Sequence, residues 1–342
     1  MVRPALPYVL AAADDPSPSV QAQGLWALHH LACQAAAEEL SWQRQLLLDV
    51  ARRHLAGAAD GAWPAAAAAA VALVLKLEGG GGGSSSRRGT GGAARGGPAC
   101  AAIMAALLEE GVRTWHLLPR AAVWLRHAPA LFPLLGLSLV SYFARLMPLL
   151  LRWAGVPGGG GPAASEVRAG ALRALHLTIT HTWPRMPAHA AAIWPVLAAA
   201  YSAAAAEEGA AGAASAGKEG SSAAGVAGAQ RWAVECGVAL WYCGGVDFQH
   251  GLLVGEAGGG CSHAQQRSAG HQQEQQQQQQ RQQQRLLLEA VMERVEELEA
   301  ESREAAGPSV GRERGEKEAA WERRELEEGP GLHADAAALL AA

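Results

Sequence analysis

Strand signals are nearly absent from this 342-residue chain. β-branched residues are few, alternating polar and apolar runs are almost missing, and Ala and Leu dominate, which points to helix throughout. An excess of positive charge is also missing. The net charge is −4 with a pI near 6.3, and the arginines are scattered, so no global basic field invites nucleic acid. Acidic residues concentrate in roughly the last sixty positions. Cysteine is sparse: Cys33, Cys100, Cys236, Cys243 and Cys261 are odd in number and irregularly spaced. That suits buried thiols in a reducing compartment better than a disulfide framework. Only Arg3 precedes Asp14-Asp15, which argues against a signal or transit peptide and gives a cytoplasmic expectation.

Catalytic signatures are missing too. There is no G-x-S-x-G, H-E-x-x-H or dinucleotide fingerprint. "GAASAGKE", residues 212–219, nearly spells a phosphate loop, but Glu219 replaces the hydroxyl that holds magnesium, and no strand precedes it. His29 and Cys33 stand at i, i+4 on one helical face, yet nothing nearby completes a zinc set; His54 is distant. A packed cysteine and a partly exposed histidine are expected instead. Asp14-Asp15 sits in a proline-bounded turn and reads as helix capping rather than an acid–base pair. Cys261–His263 and His271 form no recognised ligand set. The expectation is a non-enzyme without cofactor or metal.

What the chain does contain is helical stripes separated by low-complexity tracts. "EGGGGGSSSRRGTGGAARGG", "EEGAAGAASAGKEGSSAAGVAGA" and "HQQEQQQQQQRQQQR" cannot bury enough apolar surface to offset ordering entropy, and read as flexible. Leu6, Val9, Leu10 and Ala13 line one face of a first helix. "DDPSPS" ends it, Ser19 is placed to cap a second helix, and Gly24 implies a close helix–helix approach. The pattern returns in "ARLMPLLLRWAG" followed by "SEVRAGALRALHLTI", where Leu175-His176 aligns with Leu28-His29 while Gly170 and Gly24 fall one residue out of register. It returns again in "AAIWPVLAAAY" followed by "RWAVECGVALWYCGG", with Trp232, Cys236, Ala239, Leu240 and Cys243 on one face. Further helices are read in "QRQLLLDVARRHL", "WPAAAAAAVALVLKL", "AAIMAALLEE" and "PRAAVWLRHAPALF".

Helix, turn, helix with proline in the first helix and Val-Arg (Val167-Arg168) in the second is the spacing of HEAT-type repeats. The expected fold class is therefore all-α: a HEAT/armadillo-like α-solenoid with disordered Gly/Ala- and Gln-rich inserts. The chain divides into N-terminal HEAT-like helices over 1–78, a flexible Gly/Ser-rich insert over 79–99 and central HEAT-like helices over 100–206. A flexible Ala/Gly-rich insert over 207–228, a last repeat helix over 229–255 and a low-complexity Gln-rich segment over 256–285 follow. A short amphipathic helix over 286–304, with Leu288, Val291, Val295 and Leu298 as its seam, precedes an acidic tail over 305–342. Residues 131–151 have the length and apolar character of a membrane span, but Arg145 within them and Pro133 and Pro148 near their ends favour two consecutive buried helices. Trp26, Trp124, Trp153, Trp183, Trp194, Trp232 and Trp241 lie in or beside the stripes, where packing and partner anchoring are the two roles open to them.

The segment "LPYVLAAADDPSPSVQAQGLWALHHLA" resembles the opening of the Tti-two family, the Tel-two-interacting HEAT/armadillo-like proteins. The likeness continues through "LPRAAVWLRHAPALFPLLGLSLVSYFARLMPLLLRWA" and "ALRALHLTITHTWPRMPAH" to "VALWYCGGVDFQ", about half the chain in the family's order. The sequence departs from that pattern in beginning directly inside a repeat, in its Gly-, Ala- and Gln-rich inserts, and in an acidic tail without counterpart. The resemblance implies a scaffold subunit of the Triple T complex with Tel-two and Tti-one. With the Hsp-ninety machinery, that complex matures and stabilises phosphatidylinositol-3-kinase-related kinases, in the cytoplasm and also the nucleus. On this reading Trp241 and Phe248 help bind Tti-one, and neither nucleic acid nor membrane is a partner. The competing readings are a generic HEAT/armadillo adaptor and a membrane protein using residues 131–151.

Overall fold

The computed structural model describes residues 2–79, 96–157, 161–214, 222–254 and 275–302. Those residues are all-helical, with no strand among them. The chain separates into two compact units, residues 1–291 and 292–342. Of the insert expected over 79–99, residues 80–95 lie outside the described residues and helix begins again at Pro98. Of the segment expected over 256–285, residues 256–274 lie outside them, as does the whole tail expected over 305–342.

In the first unit, α1 (Val2–Ala13) and α2 (Pro18–Gln34) form the opening hairpin, followed by the short α3 (Ala37–Ser41). Then come α4 (Arg44–Gly57), α5 (Trp63–Glu78), α6 (Pro98–Arg113) and α7 (Leu118–His127). A 3-10 turn, α8 (Phe132–Leu135) and a second 3-10 turn lead into α9 (Phe143–Ala154) and α10 (Gly161–Thr182). After another 3-10 turn the chain continues as α11 (Pro187–Ala214), α12 (Ser222–Cys243) and α13 (Gly245–Val254). A last helix, α14, spans residues 275–302. Proline opens several of these helices, at Pro18, Pro64, Pro98, Pro119 and Pro187, where its missing N–H would have had no intrahelical partner.

Packing in the first unit follows chain order. Helices α2, α5, α7, α10 and α12 touch in succession, as do α4, α6, α9 and α11. The two rows are joined by the hairpin contacts α1–α2, α4–α5, α6–α7, α9–α10 and α11–α12. Helix α5 is met by α2, α3, α4, α6 and α7, which explains why Ala65–Ala70 are all buried: small side chains let these neighbours approach. Three tryptophans fix neighbouring helices through indole N–H donors. Trp63 Nε1 donates to the Leu55 carbonyl at 3.3 Å, Trp124 to Leu107 at 2.8 Å and Trp153 to Trp115 at 2.9 Å.

The opening hairpin follows its sequence closely. Leu6 and Ala13 are buried and Val9 and Leu10 half-buried. Gly24 meets α1 so closely that a Cβ there would lie 2.3 Å from the Ala13 nitrogen. Helix capping differs from expectation. Ser17, not Ser19, occupies the cap position, and the Asp15 carboxylate accepts the Ser17 N–H at 2.8 Å, because Pro18 fixes the first helical residue. Gly170 packs elsewhere than Gly24. Its Cα faces Leu125 of α7, so the one-residue offset places it against the row neighbour rather than the hairpin partner.

Several expected boundaries move. The insert expected over 207–228 is mostly helix: α11 runs to Ala214 and α12 starts at Ser222, leaving 215–221 outside the described residues. Alanine's helix propensity extends both helices, and Glu207 is held by the buried Arg168. The single helix expected over 229–255 breaks at Gly244-Gly245, where Gly245 has φ +81°, so two helices form. Its buried face is Ala229, Ala233, Cys236 and Leu240; Trp232, Ala239 and Cys243 are only half-buried. Helix α14 starts inside the glutamine run at residue 275. In its first-unit part the buried residues are Leu287 and Val291, with Leu288 half-exposed, and Val291 fills the space over Gly237. Residues 131–151 are not one helix. The short α8 breaks at Gly136, φ +50°, and a 3-10 turn leads into α9.

Candidate functional site

The residues singled out for chemistry are mostly structural where they are described. The Asp14 carboxylate accepts from the buried His54 Nε2 at 3.1 Å and from Arg53 at 3.3 Å, so it ties α1 to α4 instead of capping a helix. Burial lowers the His54 pKa despite the opposing pull of Asp14. Burial pushes the Cys100 thiol up to about 12 and raises those of Cys236 and Cys243, which keeps them protonated and unreactive. Cys236 Sγ donates to the Leu172 carbonyl at 3.2 Å, joining α12 to α10. Among the described residues, no three of His, Cys, Asp and Glu gather where one ion could be held. The phosphate-loop-like stretch ends α11 through Ala214, and its Lys218 lies outside the described residues, as do Cys261, His263 and His271.

A groove of about 690 Å³ lies where α2, α3, α5 and α7 meet. Ala32, Ala68, Val71, Ala72 and Leu75 give it an apolar floor, and His29, Cys33, Lys76 and His127 bring polar groups to it. Cys33 is exposed, contrary to the packed cysteine expected, because the last turn of α2 opens onto this groove. Its Sγ lies 3.7 Å from His29 Nε2, and its carbonyl accepts from Lys76 Nζ at 3.2 Å. His29 Nδ1 is shielded from solvent and lacks a hydrogen-bond partner among the described residues. His127 is held down to about pKa 4, first by burial and then by the charges of Arg126 and His29. At neutral pH it is an uncharged imidazole. A volume of this size with few convergent polar groups suits a ligand or peptide side chains.

The tryptophans divide sharply. Trp63, Trp124, Trp153 and Trp194 are core, while Trp26, Trp42, Trp115 and Trp183 are exposed. At the end of α12, Trp241 is half-buried and its carbonyl accepts from Gln249 Nε2 at 2.7 Å. Phe248 is also half-buried, edge-on to Trp194 with ring centroids 6.0 Å apart, and it packs over Gly244. The residues most open to a partner at this corner are Tyr242, 58% exposed, and Val246, 79% exposed. Sequence reasoning passed over Trp42, Trp115, Tyr242 and Val246. Their signal was available in part, since each falls off the buried stripe of its neighbourhood.

Two stretches among the described residues, Leu118–Ala154 and Pro187–Glu208, are long and apolar enough to cross a membrane by length and composition alone. The first carries the break at Gly136, and the second contains Pro195. No protein-family model, curated protein or solved structure matches this chain.

Proposed function

We propose that this chain is a non-enzymatic scaffold: a HEAT/armadillo-like α-solenoid serving as the Tti-two-like subunit of the Tel-two/Tti-one/Tti-two co-chaperone complex. The observation that carries the reading is the repeated hairpin. Prolines Pro7, Pro148 and Pro195 each sit inside the first helix of a pair, α1–α2, α9–α10 and α11–α12, whose members pack together. Pairs that each bury one face on the next are the building principle of solenoids. The sequence blocks that resemble the Tti-two family begin in the first of these pairs and run through the last into α13.

In this reading the chain works through protein partners, namely Tel-two, Tti-one, the Hsp-ninety machinery and client phosphatidylinositol-3-kinase-related kinases, in the cytoplasm and nucleus. The α12–α13 corner, with Trp241 and Phe248 backed by the open Tyr242 and Val246, is the proposed contact for Tti-one. Affinity purification from native cells tests the assembly, and depletion tests the activity. Target-of-rapamycin kinase protein should fall while its messenger RNA holds. Unchanged kinase levels, together with a purification that returns partners other than Tti-one, would move the chain to the generic adaptor class.

A further inference from the structure

A second surface carries its own chemistry. Between residues 111 and 206 the chain has eight arginines and a single carboxylate, Glu166. Four of the arginines are satisfied internally. Arg113 and Arg120 bind the buried Glu110, Arg126 binds Glu166 at 2.9 Å, and Arg168 binds Glu207. Arg145, Arg152, Arg173 and Arg185 have no carboxylate partner among the described residues.

Two of these four converge on one place. Arg145 and Arg152 flank a cleft of about 170 Å³ between the end of α6 and the exposed side of α9, with Val112, Trp115, Ala144, Pro148 and Leu149 completing its lining. The lining contains no carboxylate. Its apolar members are unusually open, with Trp115 40% and Val112 45% exposed. Trp115 is held in place from behind, since its carbonyl accepts the Trp153 indole N–H at 2.9 Å. The Arg152 guanidinium lies over the Trp115 ring at 4.2 Å, so that arginine is preorganised rather than free to sweep through solvent.

We propose that this cleft is a docking site for an acidic peptide segment of a partner protein, one apolar side chain entering between two carboxylates. The charge favours an anion, because two guanidinium groups without a carboxylate partner border an apolar floor. The volume is well below the roughly 300 Å³ at which small-molecule sites begin, and it suits one side chain. Spacing refines the motif. Arg145 and Arg152 are seven residues apart on one helix, about 10 Å along its axis. An extended peptide covers that length in about three residues, so the matching pattern is an acidic residue, two residues of which one is apolar, and a second acidic residue. Nucleic acid fits less well, because the exposed aromatic that would stack a base already has a guanidinium on its face. The inference does not depend on the co-chaperone reading; any partner bearing such a segment would satisfy it.

Fluorescence anisotropy with the full chain tests it, using a labelled SEALESG peptide, its basic counterpart SKALKSG, the alanine form SEAAESG, and a labelled oligothymidine. The wild-type protein should bind SEALESG, reject SKALKSG, and bind SEAAESG several-fold more weakly. Arg145→Glu should weaken SEALESG about ten-fold while circular dichroism is unchanged, because Arg145 is exposed and lies outside the Trp115 stack. Arg152→Glu should weaken it at least as much, and raising salt should weaken the wild type but not the double variant. Failure of the wild type to bind SEALESG, or equal binding by Arg145→Glu, would overturn the proposal. Tighter binding of oligothymidine with the same dependence on Arg145 would also overturn it and reassign the cleft to nucleic acid.

Discussion

Removing the Glu207 carboxylate should destabilise the fold far more than its position in an Ala/Gly-rich tract suggests. Arg168 is fully buried, and its guanidinium makes three bonds: Nε to the Val156 carbonyl at 3.2 Å, and Nη1 and Nη2 to the two Glu207 oxygens at 3.1 Å each. Glu207→Ala leaves a buried cation with one neutral acceptor, and breaking a buried pair from one side costs ~3–5 kcal/mol. The Glu207 side chain is 21% exposed, so water can reach the vacated space and the lower end, about 3 kcal/mol, applies. For a folded part of this size that is a fall in Tm of about 6–12 °C. Urea and thermal unfolding followed by circular dichroism at the helical band would measure it. The double variant Arg168→Met, Glu207→Ala should lose less than Glu207→Ala alone, because the stranded charge is gone. If Glu207→Ala unfolds within about 0.5 kcal/mol of wild type, the pair does not anchor α11 and the reasoning fails.

Three further outcomes follow from other contacts. Gly24→Ala gains about 1 kcal/mol of helix propensity but drives a Cβ into the α1 backbone, an overpacking cost of ~1–3 kcal/mol that should win. Gly57→Ala, with open space around it, should be neutral or stabilising in the same urea titration. Glu78 accepts from the Ala99 and Cys100 N–H groups and pairs with Arg44. Glu78→Ala should therefore cost about 2 kcal/mol, whereas shortening residues 80–95 to a brief linker should shift Tm by no more than a few degrees. His127 titrates near 4 in the fold against an ordinary 6.5, so the unfolded chain binds the extra proton between those values. Stability should be complete above about pH 6.5 and fall as the pH drops toward 4; His127→Gln should flatten that window in unfolding curves taken across it.

The sequence by itself determined the helical class and most helix positions, because these rest on local causes. The stripe Leu6, Val9, Leu10, Ala13 shows its face through 3.6-residue periodicity, prolines mark helix starts by lacking an N–H, and Gly24 signalled a close approach that only a missing Cβ permits. The tertiary structure decided what lies between elements. Nothing local distinguishes Glu207 from the exposed Glu208 beside it; a buried guanidinium 39 residues earlier in the chain does. Glu78 becomes a cap for α6 only because packing brings the two sides of residues 80–95 together. The same holds for the tryptophans. All are equally apolar on paper, yet Trp124 and Trp153 face each other in the core at 5.3 Å while Trp115 opens onto a cleft between two arginines. Burial and pairing are properties of which helices meet, and that is settled by contacts far apart in sequence.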